Sequence, residues 1–164
     1  MVLNAILALK FAHMIAMAVM FGTWLCIALF MLFAHRLGHT SVVALTSAFV
    51  VRAEKWVMAG AVVLQPLIGF PLAVAVGASL TAYWLQASVV LYAAVVLVWI
   101  GCFLIEMRIS RVTRAALNKE AAGSTAPLPR SYKRLFWAWS VLVVAGLGGM
   151  IAIMALMVWQ PQWS

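Results

Sequence analysis

The chain has 164 residues, of which 68% are hydrophobic and 9% are charged, and its mean hydropathy is +1.14. Soluble domains carry roughly 25% charged residues, so this composition excludes a water-soluble globular domain. The net charge of +8 comes from 11 Lys and Arg residues against three acidic residues. Because the basic residues border apolar segments and form no separate patch, they indicate a membrane protein and argue against nucleic-acid binding.

Four apolar runs are present, at residues 5–33, 56–76, 84–107 and 135–159. A helix needs about 20 apolar residues to cross a bilayer, and each run reaches that length. We therefore predict an all-α fold, a single four-helix transmembrane bundle over residues 1–164, because a spanning segment must satisfy its backbone internally. The first run is too long for the apolar part of a signal peptide, so we interpret it as a span.

The basic residues fall almost entirely in two connections. The connection after the first run holds Arg36, Arg52 and Lys55, and seven more basic residues lie between 108 and 134. The connection GASLTAY and the tail WQPQWS carry no charge. Since Lys and Arg favour the cytoplasmic side, we expect both charged connections to face the cytoplasm and both termini to face the outer side of the membrane.

Two connections are expected to be helical. Thr40 and Ser41 precede the apolar stretch VVALTSAFVV, which predicts either a short interfacial helix or an N-terminal extension of the second span. The third helix is expected to continue past the membrane through RISRVTRAALNKEAA, because this segment is rich in helix formers. Gly123 and Ser124 then predict a break.

Lys10 and His13 form the centre of the candidate site, one helical turn apart in the first run. Ionisable side chains inside a span usually mark a functional site. His13 is the one imidazole inside a run, because His35 and His39 lie just beyond it. The alternatives are an interhelical hydrogen bond for His13 and extension to the head groups for Lys10.

Groups from the other spans are expected at the level of His13, at about 1.5 Å of helix per residue. The second run contains prolines in VLQPLIGFPLAV, which predicts a bend that opens room beside its neighbours. The expected lining consists of Lys10, His13, Met17, Pro71, Ser88, Tyr92 and Met154. A neutral imidazole is a good ligand for haem iron and transition metals, so His13 is the candidate metal ligand and haem b the candidate cofactor.

Glu106 stands at the inner end of the third run, beside Arg108. We expect its carboxylate to pair with Arg36 or Arg52 at the interface. With three acidic residues in the chain, the sequence presents no evident pair of carboxylates, and hydrolase chemistry is improbable.

The remaining candidates are weaker. Cys26 and Cys102 are expected to be small buried side chains rather than a disulfide. His35 and His39 have the spacing of a helical metal pair but lack a neighbouring carboxylate or cysteine. Small residues around Gly148 would permit close helix contact within the chain or with a second copy.

The segments LKFAHMIAMAVMFGTW, WLQASVVLYAAVVLVW and MALMVWQP resemble a family of uncharacterised four-span bacterial membrane proteins, a domain of unknown function. More distantly, the pattern is similar to HemJ-type protoporphyrinogen oxidases and copper-resistance D-type membrane domains. In the oxidases a Lys-x-x-His in the first span, matched by Lys10 and His13, implies haem b ligation by the histidine. Pro66 and Pro161 match family prolines, whereas Ser88 stands near the position of an essential lysine.

Two functions from different classes are left open. The first is a redox protein that holds haem b through His13 and exchanges electrons with a quinone or porphyrin-like molecule. The second is a non-enzymatic accessory or transport subunit, in which Lys10, His13 and the methionines line a path for metal or a small solute. Either would sit in the lipid bilayer as a homo-oligomer or beside a partner membrane subunit.

Overall fold

The computed structural model describes residues 2–121 and 128–161, and these residues form helices joined by short turns. The helices are α1 (Val2–Leu37), α2 (Thr40–Ala53), α3 (Ala59–Ala75), α4 (Tyr83–Ala121) and α5 (Arg130–Trp159), with a π-helical turn at Glu54–Met58. Because α2, the π-helical turn and α3 are continuous, the described residues contain four helices long and apolar enough to cross a membrane. The predicted all-α, four-helix transmembrane fold is confirmed.

In the structure, the segment that begins at Thr40 extends the second span at its N-terminus and is not a separate interfacial helix. The continuous helix Thr40–Ala75 has 36 residues, so it is about 54 Å long and exceeds a bilayer core of about 30 Å. Its first part buries Val43, Ser47 and Val50 against the bundle. The third helix also continues past its apolar run, as predicted, while the expected break at Gly123 and Ser124 lies outside the described residues.

Successive long helices run antiparallel. The Ser47 hydroxyl lies 3.3 Å from that of Thr113, and the Tyr92 hydroxyl donates to the Val62 carbonyl, which fixes α4 against the continuous helix. Most basic residues collect where α1 meets α2 and where α4 ends and α5 begins; we call this the basic end. The opposite end holds the start of α1, the α3–α4 turn and the end of α5, and we call it the terminal end.

Two glycines with positive φ make the turns at the helix ends. Gly38, at φ 70°, follows α1, and Gly77, at φ 69°, follows α3. Beyond α3 the N–H of Gly77 donates to the Val74 carbonyl and that of Ala78 to the Ala73 carbonyl. This is the Schellman arrangement, which satisfies the last carbonyls of a helix and favours glycine at the left-handed position.

Large side chains fill the interior and apolar side chains also cover the exterior. Trp24, Phe136 and Met150 are among the fully buried side chains. Leu97 and Val144, by contrast, are 70% and 71% exposed. An apolar exterior of this kind matches acyl chains as the surrounding solvent, so the exposed surface is in contact with lipid.

Two glycines of α5 leave space that side chains of neighbouring helices fill. A Cβ at Gly146 would overlap the indole ring of Trp24, and one at Gly149 would come within 2.6 Å of Val95 Cγ2. Gly148 is exposed and has open space around it. The close contacts predicted for these small residues are therefore made within the chain at Gly146 and Gly149.

Candidate functional site

His13 packs against the proline-containing part of α3. A Cβ at Gly69 would lie 2.9 Å from His13 Cε1, so the imidazole occupies the space that the glycine leaves. The ring also lies beside the backbone of Gln65. His13 Nδ1 and Gln65 Oε1 are buried and have no hydrogen-bond partner. The imidazole is therefore enclosed between α1 and α3, with its Nδ1 inside the bundle.

Tyr92 and Ser88 lie on the α4 face toward α3, and both hydroxyls donate to backbone carbonyls. Tyr92 donates to the Val62 carbonyl at 2.5 Å, and Ser88 donates to the Trp84 carbonyl at 2.7 Å. Pro66 has no N–H, so the Val62 carbonyl four residues earlier has no helical donor. The Tyr92 hydroxyl replaces that donor, so this predicted site residue stabilises the proline-containing helix.

The remaining predicted lining residues occupy different environments. Met17 is half-buried against the core and Met154 is half-buried in α5. Lys10 and Pro71 are exposed on the outer surface of the bundle. Of the predicted lining residues, His13 and Tyr92 therefore contact α3, whereas Lys10 and Pro71 face outward.

Two carboxyl groups that the sequence did not indicate as a pair lie inside the bundle. Glu54 opens the π-helical turn between α2 and α3, and Glu106 lies on α4; both are 0% exposed. The indole N–H of Trp99 donates to Glu54 Oε2. The indole N–H of Trp139 donates to Glu106 Oε1 at 2.7 Å. Each carboxyl group is therefore held by a tryptophan of a neighbouring helix.

The expected pairing of Glu106 with Arg36 or Arg52 is wrong. Its second oxygen, Oε2, is buried without a hydrogen-bond partner, as is Oε1 of Glu54. Arg36 and Arg52 are exposed on the outer surface. The physical reason is the helical face: Glu106 points to the interior with Cys102, one turn away, whereas the arginines point outward.

The two carboxyl groups are neighbours inside the bundle. Glu54 and Glu106 are near enough for an electrostatic interaction, and the Cys102 side chain lies near both. Trp99, Cys102 and Glu106 are spaced i, i+3 and i+7 on α4, which places them on one helical face. The π-helical turn that carries Glu54 is a rare element, and such turns are frequent at functional sites.

Among the described residues, five side chains that each hold a buried polar atom without a hydrogen-bond partner make up what we call the buried polar column. They are Glu106, Glu54, Trp24, Gln65 and His13. Glu54 and Glu106 lie toward the basic end, each seven residues from the contact between Ser47 and Thr113, and His13 lies toward the terminal end. Gln65 follows Glu54 by 11 residues on the same continuous helix, about 16 Å, with Met58 and Ala61 buried between them. Natural proteins rarely leave such atoms unpaired, so the column is a place where water or an ion is expected.

The part of the chain that the structure describes has few side chains arranged as metal ligands. There, no group of three or more His, Cys, Asp or Glu side chains is suited to hold a metal ion. His35 stacks on Phe136 at 3.8 Å between ring centroids, and its Nδ1 lies 3.1 Å from the Tyr132 hydroxyl. His39 is exposed at the turn after α1, so the two histidines do not act as a pair.

The expected state of the cysteines is confirmed for one of them. Cys102 is buried and free, as predicted for a small apolar side chain. Cys26 is also free, but it is exposed on the outer surface rather than buried. Neither thiol forms a disulfide within the described residues.

Comparison with known families shows to which family this chain belongs. Residues 7–161 match the family model described as a predicted integral membrane protein, DUF2269. The chain belongs to this family. The expected resemblance to an uncharacterised four-span membrane family is thereby confirmed. No curated protein and no solved structure matches the chain, and the likeness to HemJ-type oxidases and copper-resistance domains stays an expectation.

Sequence reasoning missed the carboxyl pair for an identifiable reason. The second apolar run begins at residue 56, so hydropathy alone places Glu54 in a connection rather than in a continuous helix. The sequence does contain a signal, because two of the three acidic residues flank or end apolar runs. Their proximity across helices, however, depends on the interhelical register, which no short motif encodes.

Proposed function

We propose that this protein passes protons in the membrane as a non-enzymatic transport or accessory protein, with Glu54 and Glu106 as the proton-binding groups. The observation that carries the proposal is the pair of fully buried carboxyl groups, each of which has one oxygen without a partner. Ionisable residues inside membrane bundles commonly mark proton relays and ion paths.

The chemistry follows from burial without a basic partner. Removing a carboxylate from water is costly unless a cation compensates its charge, and the hydrogen bonds to these groups come from indoles. Two neighbouring carboxylates also repel one another, so a proton held by the pair relieves both effects. A proton would leave the protonated carboxyl group to water, and the resulting carboxylate would accept the next one.

The rest of the buried polar column supports a path toward the terminal end. Gln65 and His13 offer unpartnered atoms at one level, and His13 Nδ1 would accept or release a proton through water. Met58 and Ala61 form an apolar stretch between Glu54 and Gln65. Water entry past these two side chains is the step that would control the flow of protons.

Proteoliposomes with an enclosed pH-sensitive dye test this proposal. A potassium gradient with valinomycin sets the membrane potential, and proton uptake is followed as a change in dye fluorescence. We expect uptake with the unmodified protein and a rate at the level of empty liposomes for Glu54→Gln and Glu106→Gln. Glu120→Gln, the matched change at the third acidic residue, is expected to conduct normally. Uptake that persists in both interior variants contradicts the proposal, as does a wild-type rate equal to that of empty liposomes.

Haem b binding is the second candidate, and the unpartnered Nδ1 of His13 favours it. His13 would hold the haem iron through its imidazole, which packs over Gly69. A thioether of Met17 or Met154, both of them half-buried, would be the further protein ligand. Bound haem would supply one-electron chemistry toward a quinone or porphyrin-like molecule.

An absorption spectrum distinguishes the second candidate from the first. The protein is purified from cells supplied with haem and measured oxidised and reduced, beside His13→Ala. A haem b spectrum that disappears in the variant would support this candidate. A featureless spectrum of the unmodified protein would remove it and leave the proton proposal standing.

We also propose the orientation and location of the protein. The basic end would face the cytoplasm and both termini the periplasm of a bacterial inner membrane, because Lys and Arg concentrate at one end of the helices. Labelling of single cysteines from the two sides of the membrane tests this orientation.

A further inference from the structure

We propose that the groove between α4 and α5 at the basic end binds the phosphate of an anionic phospholipid head group. The groove has a volume of about 560 Å³ and is lined by Arg108, Arg111, Val112, Ser131, Arg134, Leu135 and Ala138. It lies on the outside of the bundle, and the carboxyl pair lies in the interior. The inference is therefore independent of the proton proposal.

The helical spacing explains how the two helices build this groove. Arg108 and Arg111 are three residues apart on α4, so they share one face. Ser131 and Arg134 have the same spacing on α5, which runs antiparallel to α4. Three arginines and one serine therefore line the same groove. Arginine donates two parallel hydrogen bonds to phosphate oxygens, and this geometry suits it for phosphate recognition.

The charge of the groove is not balanced by the interior acids. The chain has 11 basic and three acidic residues, and two of the acidic ones are held by indoles inside the bundle. Arg108, Arg111 and Arg134 are all exposed. An anion entering the groove thus meets three arginines in a partly apolar setting, where charge interactions are stronger than in water.

The apolar side of the groove favours a lipid over free phosphate. Val112, Leu135 and Ala138 supply an apolar wall beside the arginines. Val141 follows Arg134 by seven residues on α5, toward the terminal end, and is 68% exposed on the lipid-facing surface. A head group in the groove would place its acyl chains along this surface. Basic pockets between membrane helices bind anionic head groups in the same way.

Native mass spectrometry of the detergent-purified protein tests the proposal. The protein is mixed with equal amounts of phosphatidylglycerol and phosphatidylcholine, and the retained lipid adducts are counted. We expect a preference for phosphatidylglycerol that falls about fivefold for Arg111→Gln, since a basic side chain near a membrane surface contributes about 1 kcal/mol. The triple variant R108Q/R111Q/R134Q is expected to have no preference.

The matched control is R36Q/R52Q/K119Q, which removes the same charge from positions outside the groove. It is expected to keep the preference of the unmodified protein. The proposal is overturned if the unmodified protein shows no preference, or if the control loses the preference as fully as the groove variant. It is also overturned if millimolar inorganic phosphate displaces the lipid completely, because the site then serves a soluble anion. Should the triple variant fail to give a monodisperse helical protein, the single Arg111→Gln variant decides.

Discussion

Each buried glutamate depends on one tryptophan. Trp99 and Trp139 are large apolar side chains that also carry a single N–H donor, so they fill the core and hold a carboxyl oxygen at the same time. The donor matters because a buried polar atom without a partner is destabilising by about 1–3 kcal/mol. The tryptophans therefore stabilise groups that the bundle would otherwise exclude.

We predict that Trp139→Phe lowers the stability of the protein by about 1–2 kcal/mol, because the change removes the N–H donor to Glu106. The measurement is thermal unfolding in detergent. Trp137→Phe is the matched control, since Trp137 is 64% exposed to lipid, and its Tm is expected to stay near that of the unmodified protein. Equal Tm values for the two variants would show that the indole N–H of Trp139 contributes nothing.

For single residues, composition and spacing predicted that His13 on α1 is important but did not predict which groups surround it. His13 was found because an imidazole inside an apolar run is rare. The unpartnered Gln65 beside it and the glycine under its ring depend on how α1 faces α3. For Glu106 the sequence predicts pairing with Arg36 or Arg52, whereas the indole of Trp139 on α5 supplies the donor.

The proline-containing helix α3 requires help from α4. Pro66 removes the donor for the Val62 carbonyl, and the Tyr92 hydroxyl supplies a replacement at 2.5 Å. Irregular backbone inside a membrane is tolerated where neighbouring side chains satisfy the freed groups. The two residues therefore form one structural unit across two helices.

A double-mutant cycle on Pro66 and Tyr92 tests this unit. Tyr92→Phe is expected to lower stability by about 1 kcal/mol in the unmodified protein, because the Val62 carbonyl loses its donor. In the Pro66→Ala background the helix regains an N–H, so the same Tyr92→Phe change is expected to have little effect. Thermal unfolding of the four proteins gives the coupling, and additive effects would contradict the account.

Close packing of α1 against α5 depends on a single glycine. A Cβ at Gly146 would overlap the Trp24 indole, so Gly146→Ala is expected to lower the Tm or prevent folding. Gly148→Ala is the control, because that glycine has open space around it and alanine is the better helix former. A Gly146→Ala protein as stable as Gly148→Ala would mean that the two helices are not packed this closely.

The elements themselves were largely predictable, with one instructive error. Four apolar runs gave four helices, since bilayer thickness sets a minimum length that few soluble helices meet. The sequence of the segment after Thr40 is compatible both with an interfacial helix and with an extension of the second span. Its burial of Val43, Ser47 and Val50 against the bundle, a tertiary effect, selects the extension.

The whole molecule has charge at one end and little at the other, which predicts its orientation. Ser79 lies in the α3–α4 turn at the terminal end, and Asn118 lies near the end of α4 at the basic end. With both natural cysteines replaced, we expect Ser79→Cys to react with a membrane-impermeant maleimide in intact spheroplasts. Asn118→Cys should react only after the membrane is opened. The reverse pattern would invert the proposed topology.

Across the molecule, the composition predicted the membrane environment and the four-helix fold, while the interior chemistry needed the interhelical register. We propose that Glu54 and Glu106 share the binding of a proton. Infrared spectroscopy of the protein in lipid, recorded as the pH is changed, observes the carboxyl C=O band directly.

We expect a carboxyl band that changes with pH, disappears in the double variant E54Q/E106Q and shifts when either glutamate alone is replaced by glutamine. Glu120→Gln should leave the band unchanged. A band that is the same in the unmodified protein and in E54Q/E106Q would contradict proton binding by this pair.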